Sequence, residues 1–271
     1  MELVSAEVIA LIFSFGAIAG FLAGLLGIGG GVILVPLFLW LFPLAGIPDS
    51  IVVHMAFGTS LAIIIPTAFS STLGHRKRGN VDWHVVSFLA LGGIIGALLG
   101  STAAAYVPGQ HLKLVFGILQ IVIAFKLIFF QPHLPPERTG KAPRHQSFWV
   151  GIAGGMFSAF FGVGGGIVAV PLMLIVMQLP IHLAVGNSSA LIVVSSFAGT
   201  VGYVLHGLQQ PETAPLSLGY VNVLVATVVA PVSMGFARLG VKLASRTSHK
   251  NLIKYFAVLL VIIGLRILLS G

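Results

Sequence analysis

GLLGIGGGVILVP, residues Gly24–Pro36, decides how this chain folds. Gly27, Gly29, Gly30 and Gly31 crowd together between two apolar runs. Glycine inside a helix is worse than alanine by roughly 1 kcal/mol, so a cluster of them interrupts the helix. The same interruption is written again as AFFGVGGGIVAVP, Ala159–Pro171. Gly27, Gly29, Gly30, Gly31, Val35 and Pro36 recur 135 residues later as Gly162, Gly164, Gly165, Gly166, Val170 and Pro171.

Other segments repeat too. HMAFGTS (His54–Ser60) recurs 128 residues later as HLAVGNS (His182–Ser188). Gly100, Phe116 and Lys126 recur 140 residues later as Gly240, Phe256 and Arg266. The offsets differ only by loop lengths, so the chain is an internal duplication. It divides into a first repeat (1–130), a polar linker (131–147, QPHLPPERTGKAPRHQS) and a second repeat (148–271).

Hydrophobic residues make up 57% of the 271 residues and charged residues only 7%. Soluble domains carry about 25% charged residues, so the lipid bilayer is the expected solvent. Residues 1–7 contain Glu2 and Glu7 but no base, unlike a cleaved signal. There are no cysteines, which excludes disulfides, thiolate metal sites and cysteine nucleophiles. The net charge of +8 suits basic cytoplasmic loops better than nucleic acid binding.

Apolar segments fall at about 7–26, 31–45, 54–73, 83–106, 111–130, 148–162, 166–179, 184–206, 216–237 and 252–270. Their length is that of membrane helices, not barrel strands. The segments after the glycine clusters, near 15 residues, reach only about 22 Å, short of a 30 Å core. Loop charge sets the orientation. HRKRG carries Arg76, Lys77 and Arg78, whereas its counterpart YVLHGLQQPE has no Lys or Arg. YVPGQHLK carries only Lys113, whereas its counterpart holds Arg238, Lys242, Arg246, Lys250 and Lys254. A bias that swaps between halves is the signature of inverted repeats obeying the positive-inside rule. With both termini outside and the linker inside, every Lys and Arg except Lys113 and Arg266 is cytoplasmic. The expected fold is therefore an all-α polytopic membrane protein of two inverted-topology repeats. Each has about five helical segments, with glycine-broken segments near the midplane. Loop charge leaves one choice open: the paired segments at 7–45 and 148–179 are either full spans or re-entrant hairpins.

Broken helices at membrane depth are tolerated where the freed backbone is buried or lines a cavity. A helix start carries unpaired N–H groups and about half a positive charge, and glycine lets an anion approach closely. Gly29, Gly30, Gly31, Gly164, Gly165 and Gly166 are thus candidate anion ligands. Thr59, Ser60, Asn187 and Ser188 are candidate neutral donors at the start of a helix. Isolated pairs such as Gly20/Gly24 and Gly96/Gly100 read as helix packing instead. Ser70, Ser71, Thr72 and Ser196–Thr200 either extend a polar face or bond back to their own helices. No Asp or Glu lies deep in a span, which favours an anionic or neutral substrate over a cation. His54 and His182, symmetry mates near segment ends, are candidates for proton coupling or interfacial hydrogen bonding.

Gly-x-Gly-x-x-Gly fails at Val32, and Gly140-Lys141 is followed by Ala142, so no nucleotide motif and no cofactor is expected. H-E-x-x-H and G-x-S-x-G are absent, which argues against a membrane enzyme. The expected activity is secondary transport of a small anion. An anion channel using the same donors and a scaffold that moves nothing are the alternatives.

GLLGIGGGVILVPLF and HMAFGTSLAIIIPTAFSSTLGH, with their second-half echoes, resemble the sulfite exporter TauE/SafE family of bacterial and archaeal membrane permeases. It is also called the 4-toluene sulfonate uptake permease family. The resemblance implies a cytoplasmic-membrane permease for small sulfur-containing anions such as sulfite, sulfonates or sulfoacetate. It also implies seven or eight transmembrane segments. Asn187 stands at the Thr59 position of the second half, so the site need not be symmetric.

Overall fold

The structure is a computed structural model that describes residues 10, 12–14, 16–21, 30–129, 142–211, 214–244 and 249–269. Helix α1 is Ile12–Phe21. The others are α2 (Gly31–Leu44), α3 (Asp49–Lys77), α4 (Trp83–Tyr106), α5 (Gly109–Phe129), α6 (Arg144–Phe161), α7 (Gly166–Ile175), α8 (Ile181–Gly207), α9 (Val223–Ala244) and α10 (His249–Leu269). A small antiparallel hairpin, β1 (Ser217–Leu218) and β2 (Val221–Asn222), precedes α9. Among the described residues the protein is all-α apart from that hairpin. Helices α3, α4 and α8, and Gly109–Lys126 of α5, are long and apolar enough to cross a membrane. Large apolar side chains face outward in helical rows: Leu114, Ile118, Val122 and Phe125 on α5, and Val258, Ile262 and Leu265 on α10. Such rows suit hydrocarbon, not water.

Local chemistry sets the helix ends. Asp82 caps α4 by accepting the N–H groups of His84 (2.9 Å) and Val85 (3.3 Å). Asn222 caps α9 by accepting Val225 N–H at 2.9 Å. Caps of this kind are worth about 1 kcal/mol each. α3 and α8 start directly after Pro48 and Pro180. Gly58 and Gly186 do not interrupt those helices, so Thr59, Ser60, Asn187 and Ser188 lie inside them, not at their starts. The apolar segment expected at 216–237 begins as the β-hairpin instead. Gly219 turns it with φ +56°, and the Asn222 cap delays the helix to Val223. α6 begins at Arg144, inside the stretch read as linker, of which residues 131–141 lie outside the described residues.

Two helix pairs approach backbone to backbone. Gly92, Gly96 and Gly100 of α4 lie against Phe148, Ile152 and Met156 of α6, and a Cβ on any of them would strike a carbonyl. Both series advance in steps of four, so α4 and α6 run parallel. Gly151 and Gly155 of α6 meet Leu89 and Gly93 of α4. α1 meets α9 in the same manner, Gly16 against Val229 and Gly20 against Ser233. Adding 135 to the α1 numbers and subtracting 140 from the α9 numbers turns these contacts into the preceding two. Gly20, Gly96 and Gly100 therefore serve helix packing. Elsewhere α3 packs on α8, α4 on α8, α9 on α3, and α5 on α10.

The α6–α7 pair is a hairpin. Gly165 lies against Gly154 and Ser158, and Gly154 against Ala169, so α7 runs back antiparallel to α6. Both open ends of the pair, Ala142 and Val150 on one side and Met173, Met177 and Leu179 on the other, pack with Val85 and Leu89 at the start of α4. α7 has 10 residues, about 15 Å at 1.5 Å per residue, half the hydrocarbon thickness.

Candidate functional site

The two glycine clusters become two matching turns. Gly30 (φ +77°) precedes α2 and Gly165 (φ +68°) precedes α7, each in the left-handed region. A side chain there would cost roughly 1–2 kcal/mol. Neither helix start has a side-chain cap, although at α7 the Gly166 N–H donates to the Gly164 carbonyl at 2.9 Å and those of Val168 and Ala169 to the Gly165 carbonyl. Gly29 lies outside the described residues.

The turns meet each other about halfway along α3 and α8. Gly31 packs on the Val163 and Gly162 backbone and on the Ile64 side chain. Gly166 packs on Ile192 and on Ser188 Oγ, which lies 3.5 Å from where a Cβ would stand. Gly164 sits between Ile64 and Ile192, with a Cβ position 3.3 Å from each Cγ2. These isoleucines are symmetry mates halfway along α3 and α8. Ser60 precedes Ile64 by four residues and Ser188 precedes Ile192 by four, so each serine shares a helix face with the isoleucine that touches the turns.

Those serines are buried and unpaired. Ser60 is 0% and Ser188 2% exposed, and neither hydroxyl has a hydrogen-bond partner among the described residues. The same holds for Asn187 Nδ2 and Ser196 Oγ. A buried polar atom left unpaired costs about 1–3 kcal/mol, so these four are candidates for contact with a ligand. All four can donate a hydrogen bond without demanding a countercharge. Thr72 and Thr200, by contrast, bond back to Ala68 and Ser196 of their own helices.

Thr59 and Asn187 also do a second job. Thr59 Oγ1 accepts the backbone N–H of Asn222 at 3.0 Å, and Asn187 Oδ1 accepts that of Asp82 at 2.8 Å. Thr59 and Asn187 correspond under the 128 offset, and Asp82 and Asn222 under the 140 offset. Each central helix is thus tied to the cap of a helix from the other half. Asp82 and Asn222 escape a search for membrane-depth polar groups because they lie just ahead of helix starts, Asp82 in a loop and Asn222 at the end of β2. Extending the 140-residue alignment to the caps would have found them.

His54 is 5% exposed. Its Nε2–H donates to the carbonyls of Ala104 (3.1 Å) and Val107 (3.2 Å) at the end of α4, and its ring stacks on Tyr220 at 5.0 Å. The two carbonyl acceptors fix the proton on Nε2. His182 is exposed. Each histidine lies ten residues, about 15 Å, from the isoleucine at the glycine turns, in opposite directions along the bundle. Neither is brought to the turns.

Sequence reasoning also passed over Gln120, a single amide in the apolar run GILQIVIAF of α5. Its Nε2 donates to Val32 O at 2.9 Å, one residue into α2.

Comparison with known proteins follows this geometry. The family model described as Sulfite exporter TauE/SafE matches residues 12–267. A probable membrane transporter protein of Haemophilus influenzae is 29% identical over 255 residues, 94% of this chain and 96% of the relative. Probable membrane transporter protein YunE of Bacillus subtilis is 28% identical, with 94% and 96% covered. Probable membrane transporter protein MJ0441 of Methanocaldococcus jannaschii is 29% identical, with 96% and 95% covered. The all-α bundle, its outward apolar rows and a match over nearly the whole length make this chain a membrane transporter of the sulfite exporter TauE/SafE family.

Proposed function

We propose that the chain is a secondary transporter for a small sulfur-containing or organic oxyanion, such as sulfite or a sulfonate, in the cytoplasmic membrane. The observation that carries this reading is the pairing of two uncapped helix starts with unpaired buried donors. Gly30 and Gly165 open α2 and α7 without side-chain caps, and Ser60, Ser188 and Asn187 Nδ2 stand unsatisfied. Such a set offers an oxyanion the hydrogen bonds it loses on leaving water. Gly29, Gly30, Gly31, Gly164, Gly165 and Gly166 supply close backbone approach. Thr59 contributes through its position as much as its hydroxyl, since that oxygen already accepts from Asn222.

An inverted duplication is supported by the matching contacts of α1 with α9 and of α6 with α4, and by the matching ties Thr59–Asn222 and Asn187–Asp82. An outside amino terminus is supported by the basic residues. Arg76 and Arg144 lie over Trp83 and Phe88 where α3 ends and α4 begins, and Arg266 lies over Trp40 near the end of α2. The linker is then cytoplasmic and both termini are outside.

The test is flux into liposomes holding the purified protein alone. Sulfite, sulfate, thiosulfate, taurine and sulfoacetate are offered with and without a proton gradient. The expected result is saturable flux of at least one oxyanion, driven uphill by a gradient. Flux that only runs downhill identifies a channel, and no anion flux at all overturns the reading.

A further inference from the structure

Gln120 is 1% exposed. Its Nε2 holds the Val32 carbonyl at 2.9 Å, while its Oε1 is buried with no partner among the described residues. The Val32 carbonyl needs help for a covalent reason. Its normal helical donor is the N–H of residue 36, and Pro36 has none. The fold alone, however, does not require a glutamine for this. Pro171 in α7 deprives the Ile167 carbonyl in the same way, and the residue matching Gln120 under the 140 offset is Leu260. The second half therefore manages with leucine what the first half does with an amide. What the amide adds is an unpaired acceptor held against the first turn of α2, whose Gly31 contacts the opposite glycine turn.

Every other unpaired atom near the turns can donate: Ser60, Ser188 and Ser196 hydroxyls and Asn187 Nδ2. Gln120 Oε1 can only accept. An acceptor beside an anion site repels bare oxyanion oxygens and attracts a ligand hydrogen. We propose that Gln120 is a substrate-binding residue that selects anions carrying a hydrogen-bond donor of their own. The oxyanion head takes the helix starts and hydroxyls, and an O–H or N–H elsewhere on the ligand reaches Gln120 Oε1. The absence of any ionisable side chain among these groups fits a monoanion, because desolvation rises with the square of the charge while neutral donors do not compensate in kind. This inference rests on the oxyanion reading given under Proposed function.

The experiment uses a matched pair of probes, 2-hydroxyethanesulfonate and ethanesulfonate, which differ only by the hydroxyl. Wild type and the Gln120→Leu and Gln120→Met proteins are compared in proteoliposomes by competition against the best-transported oxyanion. Leu260 shows that the same alignment position accepts leucine, and methionine keeps the volume should leucine pack poorly. Wild type is expected to favour the hydroxyl-bearing probe by about three- to tenfold, the range of one neutral buried hydrogen bond. Both variants lose that preference, the two probes then competing within about twofold of each other. Wild type without preference overturns the proposal, as does a variant that weakens both probes alike and keeps the ratio. If no oxyanion competes or moves at all, the oxyanion reading itself fails and this assignment fails with it.

Discussion

Replacing Thr59 by valine tests the tie between the two halves. Thr59 and Asn222 are both 0% exposed, and Thr59 Oγ1 accepts the Asn222 N–H at 3.0 Å. Valine has nearly the same shape, so packing on α3 is kept and one acceptor is lost. A buried N–H is left unpaired, which costs about 1–3 kcal/mol. For a chain of this size each kcal/mol moves the melting temperature by roughly 2–4 °C. A drop of several degrees is therefore expected in detergent-purified protein. Thr59→Ser keeps the acceptor and should lose only about 1 kcal/mol for the missing methyl. Thermal unfolding of the three proteins in the same detergent decides the matter. A Thr59→Val melting temperature within a degree of wild type, or a larger loss in Thr59→Ser, refutes the reasoning that this bond holds the α9 cap to α3.

The unpaired serines behave in the opposite sense. Ser60→Ala and Ser188→Ala remove hydroxyls without partners, so melting temperatures should hold or rise while apparent affinity for the transported anion falls about tenfold or more, the size of a hydrogen bond to a charged group. Unchanged KM in both variants counts against the site. Gly165→Ala places a Cβ against the Gly154 carbonyl at φ +68°. The added strain of roughly 1–2 kcal/mol and the overlap should abolish flux even in protein that folds, and wild-type flux in a folded variant contradicts the turn geometry. Gly96→Leu drives a side chain into the Ile152 carbonyl, and size-exclusion of the purified protein should show loss of the monodisperse species.

Much of the fold is legible because membrane helices advertise themselves. Residues 83–106 follow from apolar content alone and match α4 (Trp83–Tyr106). The duplication is legible because glycine clusters are rare enough to align. The β-hairpin is not, because Leu218, Tyr220 and Val221 are as apolar as the helix that follows, and only Gly219 and Asn222 mark the turn. The placing of Thr59 and Asn187 as helix-start donors fails for a related reason. Gly58 and Gly186 look like breaks, yet Gly58 faces the Tyr220 carbonyl and Gly186 the Asn80 carbonyl. They are glycine because backbone passes there. Gln120 is invisible to any argument from repeats, since its counterpart is Leu260 and its role comes from a carbonyl freed by Pro36.

The packing also bears on which bodies move. The sequence divides the chain at the linker, and alternating access is then pictured as one repeat rocking on the other. The closest contacts cut across that division. α4 of the first repeat meets α6 backbone to backbone and is tied to α8 through Asp82 and Asn187. α9 of the second repeat meets α1 in the same way and is tied to α3 through Asn222 and Thr59. Glycine-to-carbonyl contacts resist sliding, because a packed backbone has no side chain to repack. Grouped by these contacts, α1, α3 and α9 fall on one side and α4, α6 and α8 on the other, while Gly31 against Val163 and Gly219 against the Val204 carbonyl join the two groups. The chain has no cysteine, so introduced pairs report without background. Cross-links joining α4 to α6 should leave flux intact, whereas cross-links joining α2 to the α6–α7 turn should stop it. Arrest by the α4–α6 cross-link would assign the motion to the sequence repeats instead.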